Sequence, residues 1–404
     1  MIKSISIENF FSFGTSTNVS LNSDRNIILG INGSGKTNFL KGLTLLRSAM
    51  SEENGFHKQF SVEWGGFGSV SHLGRRQSVD SIKLSYEFDK DIVNAYSDGF
   101  VFRKNPKYDL VIEKKGGEGG YFLYETLYTD AIAGQNDPFV YLERGNGVAR
   151  VSATEGKGTP ARIKRLDPYL PTELLLSQLN DPDRYYPLYL IKKAILDISV
   201  YYNIDTSTDS KIRDLSPFYP DVKLLPKGEN LISLLNYLSG NSLEAYEKII
   251  EEIKNINPHF QDLVFTQPTG GRTLLSLKEN YMKSTLPVGT LSDGTIHYLI
   301  LMAILYNPNR GRLICIDEPE TGLHPNMIEA VYRGIKYASN NGCQIIVVTH
   351  SPFLLNFFEP KDALSFSKNE QNQTTVENHN NNDFDDETGL GQRWLNGQIG
   401  AVRW

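Results

Sequence analysis

One stretch decides the fold of this chain: Gly30-Ile31-Asn32-Gly33-Ser34-Gly35-Lys36-Thr37. It matches the phosphate-binding loop pattern G-x-x-x-x-G-K-S/T at every fixed position. Apolar residues 27–29 precede it and indicate the end of a buried strand, and apolar residues recur at helical spacing after it, at Phe39, Leu40, Leu43 and Leu46. A strand, a loop and a helix in this order direct backbone N–H groups and a helix N-terminus at one point, which suits a polyphosphate.

The residues of this loop have separate expected roles. Gly33 and Gly35 are expected to let the backbone approach the phosphates. Lys36 is expected to pair with the β- and γ-phosphates, and the Thr37 hydroxyl to bind Mg²⁺. The expected nucleotide contacts are Asn32, Gly33, Ser34, Gly35, Lys36, Thr37 and Asn38. A glycine-rich turn without function is the alternative, and the strand and helix patterns on both sides disfavour it.

Composition bounds the class of protein. The chain has 404 residues, 40% hydrophobic and 22% charged, which is ordinary for a soluble globular protein of two or three domains. A formal net charge of −6 argues against a surface coated in basic charge but is compatible with a local basic patch. The N-terminus lacks the apolar segment of a signal peptide, and no run of about 18 apolar residues predicts a membrane span. Cys315 and Cys343 lie in apolar runs and are expected to be buried hydrophobes in a reducing compartment, so we predict a cytoplasmic protein.

Two further apolar strands end in side chains that suit nucleotide hydrolysis. The run 313–316 leads into Asp317 and Glu318. We expect Asp317 to hold Mg²⁺ through water and Glu318 to polarise the attacking water. The run 347–349 leads into His350, which is expected to contact the γ-phosphate and sense hydrolysis. The alternatives are an acidic turn at a strand end and a structural histidine.

A second anion-binding feature opens a predicted helix over 293–306. The segment Leu291-Ser292-Asp293-Gly294-Thr295, called the signature segment below, places a serine and a glycine at that helix start. Ser292 or Asp293 can also simply cap the helix. One chain does not need two such sites for one triphosphate, whereas a sandwich dimer does. We therefore expect Ser292 and Gly294 to contact an ATP bound by a second subunit.

The order of these elements indicates a nucleotide-binding domain divided by an insertion. We expect its two parts at residues 1–77 and 272–366, around an inserted region of β-hairpins and helices at 78–271, with a polar segment and an aromatic tail at 367–404. In this division, the later strands of the nucleotide-binding sheet all come after about residue 272.

Local patterns predict the elements within these regions. Antiparallel hairpins are expected over 78–130, and helices over 172–200, 229–256 and 325–340. The asparagine-rich residues 367–388 are expected to be a mobile surface segment. The tail is equally compatible with a docking surface and with packing on its own domain; its large apolar residues are Leu390, Trp394, Leu395, Ile399, Val402 and Trp404.

Taken in order, these elements resemble the motifs of ABC-type ATPases, a class that includes transporter ATP-binding domains and the SMC and RecF-like ATPases. Gly30–Thr37 matches the Walker A motif, and the signature segment resembles the ABC signature. Ile316–Pro319 matches Walker B, Glu320–Pro325 resembles the D-loop region, and His350 resembles the switch histidine. The resemblance implies an α/β fold: an ABC-type P-loop NTPase fold split by a large α+β insertion.

Three strings, LSDGT, DEPETGLHP and THSP, are similar to those of bacterial OLD-like and RecF-like AAA family ATPases. Many of these resemble ATPase components of antiphage defence systems of the Septu, PARIS and retron-associated kinds, in which a nuclease is often a separate chain. The resemblance implies ATP and Mg²⁺ as cofactors, a homodimer around ATP with higher oligomers left open, and a separately encoded nuclease or toxin effector without a membrane partner. Because the sequence ends soon after the histidine strand, we expect no TOPRIM nuclease domain of the kind OLD proteins carry.

Departures from the pattern leave some questions open. The signature segment has Asp293 and Thr295 where transporters have glycine and glutamine, so the cross-subunit contact is not defined. Gln59 and Gln77 are candidates for the Q-loop glutamine, although each position is more typical of a surface residue.

The alternative function is a DNA-binding repair ATPase of RecF or SMC type. A basic segment supports it, with Arg150, Lys157, Arg162, Lys164 and Arg165 opposed by Glu155. A solvated surface loop also explains these charges. A scaffold that only binds ATP is disfavoured by the presence of Glu318 and His350, and a transporter subunit is disfavoured by the size of the insertion.

Overall fold

The computed structural model describes residues 1–53, 55–72, 79–116, 120–131, 136–145, 147–153, 162–166, 168–268, 270–379 and 388–400. Its strands are β1 (Ile2–Glu8), β2 (Thr17–Ser20), β3 (Arg25–Leu29), β4 (Ser81–Phe88), β5 (Pro106–Lys114), β6 (Tyr121–Thr129), β7 (Phe139–Gly145), β8 (Val148–Ala153), β9 (Arg162–Leu166), β10 (Ile198–Tyr201), β11 (Phe260–Thr266), β12 (Leu274–Glu279), β13 (Leu286–Pro287), β14 (Leu313–Asp317), β15 (Gln344–Val348), β16 (Ala363–Lys368) and β17 (Thr374–Asn378). Its α-helices are α1 (Lys36–Met50), α2 (Gly55–His57), α3 (Phe67–Val70), α4 (Lys90–Asn94), α5 (Leu175–Gln178), α6 (Tyr186–Leu196), α7 (Leu231–Asn241), α8 (Leu243–Ile256), α9 (Asp293–Leu305), α10 (Pro325–Asn340), α11 (Pro352–Leu355) and α12 (Leu390–Leu395).

A six-stranded sheet, as far as the described residues go, carries the nucleotide-binding elements in the order β10-β14-β15-β3-β16-β17. The first five strands are parallel and β17 is antiparallel to β16. The carboxyl ends of parallel strands share one edge of a sheet. The loops that follow β3, β14 and β15 therefore meet, and they carry the phosphate loop, Asp317-Glu318 and His350.

This sheet is covered on both faces, which explains its continuous apolar runs. Successive residues of β3 face opposite sides: Ile28 belongs to one hydrophobic core, and Ile27 and Leu29 belong to another. Helix α1 lies in the first core, which also contains Ile82 and Leu84 of β4. Helices α7, α8, α9 and α10 contribute to the second core.

An eight-stranded antiparallel sheet packs against α1. Its order is β2-β1-β4-β5-β6-β7-β8-β9, so strands from the N-terminus and from the predicted insertion form one sheet. Tyr86 of β4 donates its hydroxyl proton to the backbone oxygen of Gly42 in α1, at 2.7 Å. A small antiparallel sheet of β11, β12 and β13 lies before the signature segment in the chain. The hairpins predicted over 78–130 are present as β4, β5 and β6.

Two sequence predictions about the insertion are wrong in detail. The helical region predicted over 172–200, which Pro182 and Pro187 are expected to break into pieces, forms two helices, α5 and α6. The prediction is wrong at the end of this region, where β10 pairs in parallel with β14. A strand of the nucleotide-binding sheet therefore lies well before residue 272. The sequence does not predict this strand, because its four residues have no strand pattern of their own and it is recognised only by its pairing with β14. The predicted helix 229–256 is divided into α7 and α8 at Ser242, whose φ of −147° is not helical.

The C-terminal region also differs from its prediction. Residues 374–378, expected within a mobile segment, form β17 and pair with β16, while 380–387 lie outside the described residues. In the tail, α12 packs on α11, and Leu390 and Ile399 are buried, so the described part of the tail packs on its own domain. Val402 and Trp404 lie outside the described residues.

The remaining expectations concern cysteines and membrane spans. Cys315 and Cys343 are free and buried, as predicted. Within the described part of the chain, every helix is too short or too polar to cross a membrane.

Candidate nucleotide site

The phosphate loop adopts a conformation that its glycines make possible. Gly30, Gly33 and Gly35 have φ values of +153°, +80° and +106°. A Cβ atom at Gly35 would lie 2.2 Å from Thr374 Oγ1 and 2.6 Å from Ser12 Oγ. The loop is therefore held closely between β17 and the turn after β1, and only glycine fits at position 35.

Lys36 is the cation of the site. Its side chain is buried, with the residue 5% exposed, and Nζ donates to the backbone oxygens of Gly30 and Ile31, at 2.7 and 3.0 Å. Burial lowers the pKa of Lys36 to about 8, against the opposing effect of Asp317 and the other nearby carboxylates. A buried ammonium group that is hydrogen-bonded to neutral carbonyls would be stabilised by an anionic ligand, so this residue fits a polyphosphate.

Thr37 and Asp317 join α1 to the end of β14. Thr37 Oγ1 donates to Asp317 Oδ2 at 3.1 Å. Burial raises the pKa of Asp317 to about 6. Hydroxyl and carboxylate oxygens are the donors that Mg²⁺ prefers, and a buried carboxylate is stabilised by a cation. The pair therefore fits the predicted Mg²⁺ site.

Glu318 and His350 form the second pair. His350 Nε2 lies 3.0 Å from Glu318 Oε1, and the Glu318 side chain is 45% exposed. Glu318 has a φ of +50°, which is costly for a residue with a side chain, and its N–H donates to the oxygen of Val348 in β15, at 2.8 Å. Burial and the nearby Lys36 lower the pKa of His350. The pair thus offers a solvent-accessible carboxylate beside an imidazole that favours the neutral form.

Glu320 and Thr349 complete this region, and the sequence analysis did not single them out. The Thr349 hydroxyl donates to Glu320 Oε1, and the N–H of His350 donates to the same oxygen at 2.9 Å. Burial raises the pKa of Glu320. Glu320 therefore fixes the backbone that presents His350. The string DEPE contained this carboxylate, but its partner lies 29 residues away in the chain.

Three side chains behind the loop have roles that the sequence did not reveal. Thr374 Oγ1 donates to the backbone oxygen of Ser34 at 2.8 Å, and it also lies 2.8 Å from Ser12 Oγ. Asn38, an expected nucleotide contact, donates from its side-chain amide to Ser12 Oγ, at 2.9 Å. The Ser34 side chain is buried. Asn32 and Gly33 are exposed at the loop tip, where a ligand could reach them.

The signature segment opens α9 as predicted. Ser292 Oγ accepts a hydrogen bond from the N–H of Thr295, at 3.1 Å, and caps the helix. A Cβ atom at Gly294 would lie 2.4 Å from the oxygen of Gly322, so the helix start packs closely on the loop after β14. None of the described hydrogen bonds joins Ser292 to the phosphate loop of its own chain. A cavity of about 410 Å³ extends from Thr37 and Asp317 to Gly294.

Of the two candidates for the Q-loop glutamine, only Gln59 lies among the described residues. Gln59 is 5% exposed and donates from Nε2 to Glu63 Oε2 at 2.8 Å, so it is not the surface residue that was expected. It lies in a π-helical turn, Lys58–Glu63, and its amide is engaged there. Gln77 lies outside the described residues.

Known proteins resemble this chain in sequence and in fold. A family model described as "AAA domain, putative AbiEii toxin, Type IV TA system" matches residues 25–356. The Old nuclease of Escherichia phage P2 is 29% identical over 164 residues, covering 35% of this chain and 28% of that protein. This chain thus spans less than a third of the length of the curated relative it matches.

Two solved structures resemble the fold. The Smc head bound to the C-winged helix domain of ScpA has a TM-score of 0.57 at 14% identity, with 93% of this chain and 97% of that chain covered. The Smc head domain with an extended coiled coil, bound to the C-terminal domain of ScpA derived from Pyrococcus furiosus, has a TM-score of 0.51 at 12% identity, with 93% and 95% covered. The predicted α/β, ABC-type P-loop NTPase fold is confirmed.

Proposed function

The chain belongs to this family of AAA domains, and from that premise we propose that it binds ATP with Mg²⁺ and hydrolyses it to ADP and phosphate. One observation carries the proposal: four side chains from three loops meet at one edge of the sheet as two pairs. Thr37 lies 3.1 Å from Asp317, and Glu318 lies 3.0 Å from His350. A magnesium-type oxygen pair beside a carboxylate–imidazole pair suits the attack of water on a phosphate.

Each group has one role in this proposal. The backbone amides of 33–37 and the Lys36 ammonium would hold the phosphates, and Thr37 and Asp317 would hold the metal. Bound there, Mg²⁺ would neutralise charge on the phosphate oxygens. Glu318 accepts a proton from the attacking water and orients it. His350 contacts the γ-phosphate by turning its single N–H, which faces Glu318 in the structure, to a phosphate oxygen.

The second part of the proposal is a homodimer that encloses ATP between its subunits, with higher oligomers left open. Ser292 is exposed at the start of α9, and the helix N-terminus is a ready anion site. The amide of Gly294 and the Ser292 hydroxyl of one subunit would complete the γ-phosphate site of the other.

Hydrolysis is tested with Glu318→Gln. The carboxylate acts in the transition state, so turnover should fall about 10²–10⁴-fold while ATP affinity is kept. Glu329→Gln is the matched control, because Glu329 is an exposed carboxylate on α10 away from the site. Lys36→Ala should weaken both binding and turnover. Wild-type turnover by Glu318→Gln, measured as phosphate release, would overturn the assignment.

The biological role proposed for this activity is control of a separately encoded effector, a nuclease or toxin, in cytoplasmic antiphage defence. The family description names a toxin, and the phage P2 relative is named a nuclease. ATP would act as an assembly switch that exposes or covers the effector. Co-purification with the product of a neighbouring nuclease gene, compared between ATP and ADP, tests this role. A nuclease that neither associates nor changes its activity in either state would contradict it.

A DNA-binding ATPase of RecF or SMC type is the second candidate, and β8 and β9 favour it. Arg150 lies directly opposite Arg165 at the end of the eight-stranded sheet, and Arg162 lies on the same strand as Arg165. Glu143 lies 3.7 Å from Arg150 and offsets part of this charge. Of the predicted segment, residues 154–161, with Glu155 and Lys157, lie outside the described residues.

Salt-dependent DNA binding tests this candidate. Affinity for duplex DNA should fall steeply as the salt concentration rises. Arg162→Glu should weaken DNA binding and make the affinity depend less steeply on salt. If the chain does not bind DNA at about 50 mM salt, the DNA-binding function is excluded.

A further inference from the structure

Asp293 presents an electrostatic problem in the proposed dimer. It occupies a position where the ABC signature, which the signature segment resembles, has glycine. Its side chain is 64% exposed. Ser292 and Gly294 flank it, and these are the residues proposed to meet the phosphates of a second subunit. An uncompensated carboxylate there would repel a nucleotide carrying several negative charges.

Arg213 lies beside this carboxylate. Its side chain is 4% exposed, and Nη2 forms an ion pair with Asp293 Oδ1. The same guanidinium donates to backbone oxygens on two separate loops, namely those of Thr206, Ser207, Gly289 and Leu291. A planar guanidinium has five donors in a fixed arrangement, so it can hold two loops and a carboxylate together where lysine cannot.

The two loops have functional neighbours. Gly289 and Leu291 lead directly into the signature segment. The other loop lines the cavity that also contains Thr37 and Asp317, through residues that include Thr206. Arg213 therefore ties the start of α9 to a wall of the nucleotide cleft of its own chain.

We propose that Arg213 is a positioning residue of the composite ATP site: it neutralises and turns aside Asp293, so that the start of α9 accepts the phosphates of an ATP bound by a second copy of the chain. The inference rests on the proposed ATP-enclosing dimer. It also explains why this signature segment tolerates an acidic residue.

A purely structural role for Arg213 makes a different prediction. If the guanidinium only holds backbone oxygens in place, its loss should impair dimerisation whatever residue stands at 293. If it neutralises Asp293, removing the carboxylate charge should compensate for its loss. A double-mutant cycle separates the two roles.

The test uses the Glu318→Gln chain, which retains ATP, and measures ATP-dependent dimerisation by light scattering over a concentration series. Arg213→Met, a neutral side chain of similar length, should weaken the dimer at least about tenfold. Arg213→Met combined with Asp293→Asn should recover the parent affinity to within about threefold, and Asp293→Asn alone should resemble the parent. Arg213→Gln, which retains an amide donor for the loop oxygens, repeats the cycle if the Met variant does not fold.

A fluorescent ATP analogue, titrated at protein concentrations too low for dimerisation, reports binding to the monomer. Because the phosphate loop is intact, this binding should change less than dimerisation does in every variant, even though Arg213 also holds Thr206 at the wall of the cleft. Parent-like dimerisation of Arg213→Met would overturn the inference while leaving the dimer in place. Loss of dimerisation in both Arg213→Met and its combination with Asp293→Asn, with the fold intact by circular dichroism, would overturn the charge role. A Glu318→Gln parent that stays monomeric with ATP would overturn the dimer itself, and this inference with it.

Discussion

Lys36 and Asp317 have pKa values displaced in opposite directions by burial beside the phosphate loop. The pKa of Lys36 is lowered to about 8, so its ammonium loses its charge above that pH. The pKa of Asp317 is raised to about 6, so its carboxylate becomes neutral below that pH. Both charges are present only between these two values. This is the window in which the site suits a phosphate and a divalent cation together.

Nucleotide affinity should therefore follow a bell-shaped pH profile. For the Glu318→Gln chain with Mg²⁺, ATP affinity should be greatest between about pH 6 and pH 8. Beyond either limit it should fall up to about tenfold per pH unit, because the limits are the pKa values of Asp317 and Lys36 in the protein without nucleotide. Calorimetric titration from about pH 5 to pH 9.5 measures the profile. Lys36→Ala should bind more weakly and lose the alkaline fall. An alkaline fall that survives in Lys36→Ala would show that another group causes it.

At the residue scale, the sequence reveals chemistry that is local in the chain. Lys36 and Thr37 are predictable because the phosphate loop requires them at fixed spacing. Thr374 and Ser12 are not, since their contact joins residues 362 positions apart and neither has a local pattern. Asp293 was visible as a departure from the signature, but its partner Arg213 was not, because a lone arginine 80 residues earlier carries no motif.

At the scale of elements, β17 supports the phosphate loop from behind. Gly35→Ala would place a Cβ atom 2.2 Å from Thr374 Oγ1 at a φ of +106°. We expect it to destabilise the fold by about 1–3 kcal/mol and to abolish ATP binding. Gly42→Ala, within α1, places a Cβ atom 3.7 Å from its nearest neighbour and should be neutral or stabilising by up to about 1 kcal/mol. Thermal unfolding of both variants measures the difference, and equal midpoints would contradict it.

Helix α12 packs on α11, the helix that begins directly after His350 and Ser351. The N–H of Gly391 donates to Asn356 Oδ1 at 2.8 Å, and a Cβ atom at Gly391 would lie 1.9 Å from the oxygen of Pro352. Gly391→Ala should therefore separate the two helices at a cost of about 1–3 kcal/mol. The control is Gly240→Ala in α7, where a Cβ atom meets nothing within 4 Å.

The measurement for this prediction is thermal unfolding with tryptophan fluorescence, since Trp394 lies in α12 with its Nε1 atom buried. Gly391→Ala should unfold at a lower temperature than Gly240→Ala and show red-shifted emission. If the two variants unfold at the same temperature with the same emission maximum, α12 is not a fixed part of the fold.

Elements were predictable where an apolar run has a recognisable boundary. The predicted start of α9 and the strand before Asp317 are present: α9 begins after its capping residue Ser292, and the strand is an apolar run that ends at Asp317. Strand β10 has only four residues directly after a helix, and its identity depends on pairing with β14. Strand β17 is polar, since it lies at the outer edge of the six-stranded sheet, and its sequence therefore predicts a surface loop.

At the scale of the whole molecule, the predicted insertion is continuous with the nucleotide-binding domain. Strand β4 pairs with β1, and β10 pairs with β14, so the residues between the two ends extend both large sheets. Composition and local pattern could not show this, because strand pairing between distant segments is a property of the folded chain. Helix α1, which begins at the phosphate loop, packs against both sheets.

The proposed dimer encloses ATP between two copies of the chain. Multi-angle light scattering of Glu318→Gln, with and without ATP and Mg²⁺, measures this assembly, with wild-type phosphate release measured alongside. We expect a monomer without nucleotide and a dimer with ATP, which Lys36→Ala or Ser292→Arg in the same chain should abolish. A Glu318→Gln chain that stays monomeric with ATP, while the wild type hydrolyses it, would show that the dimer does not form.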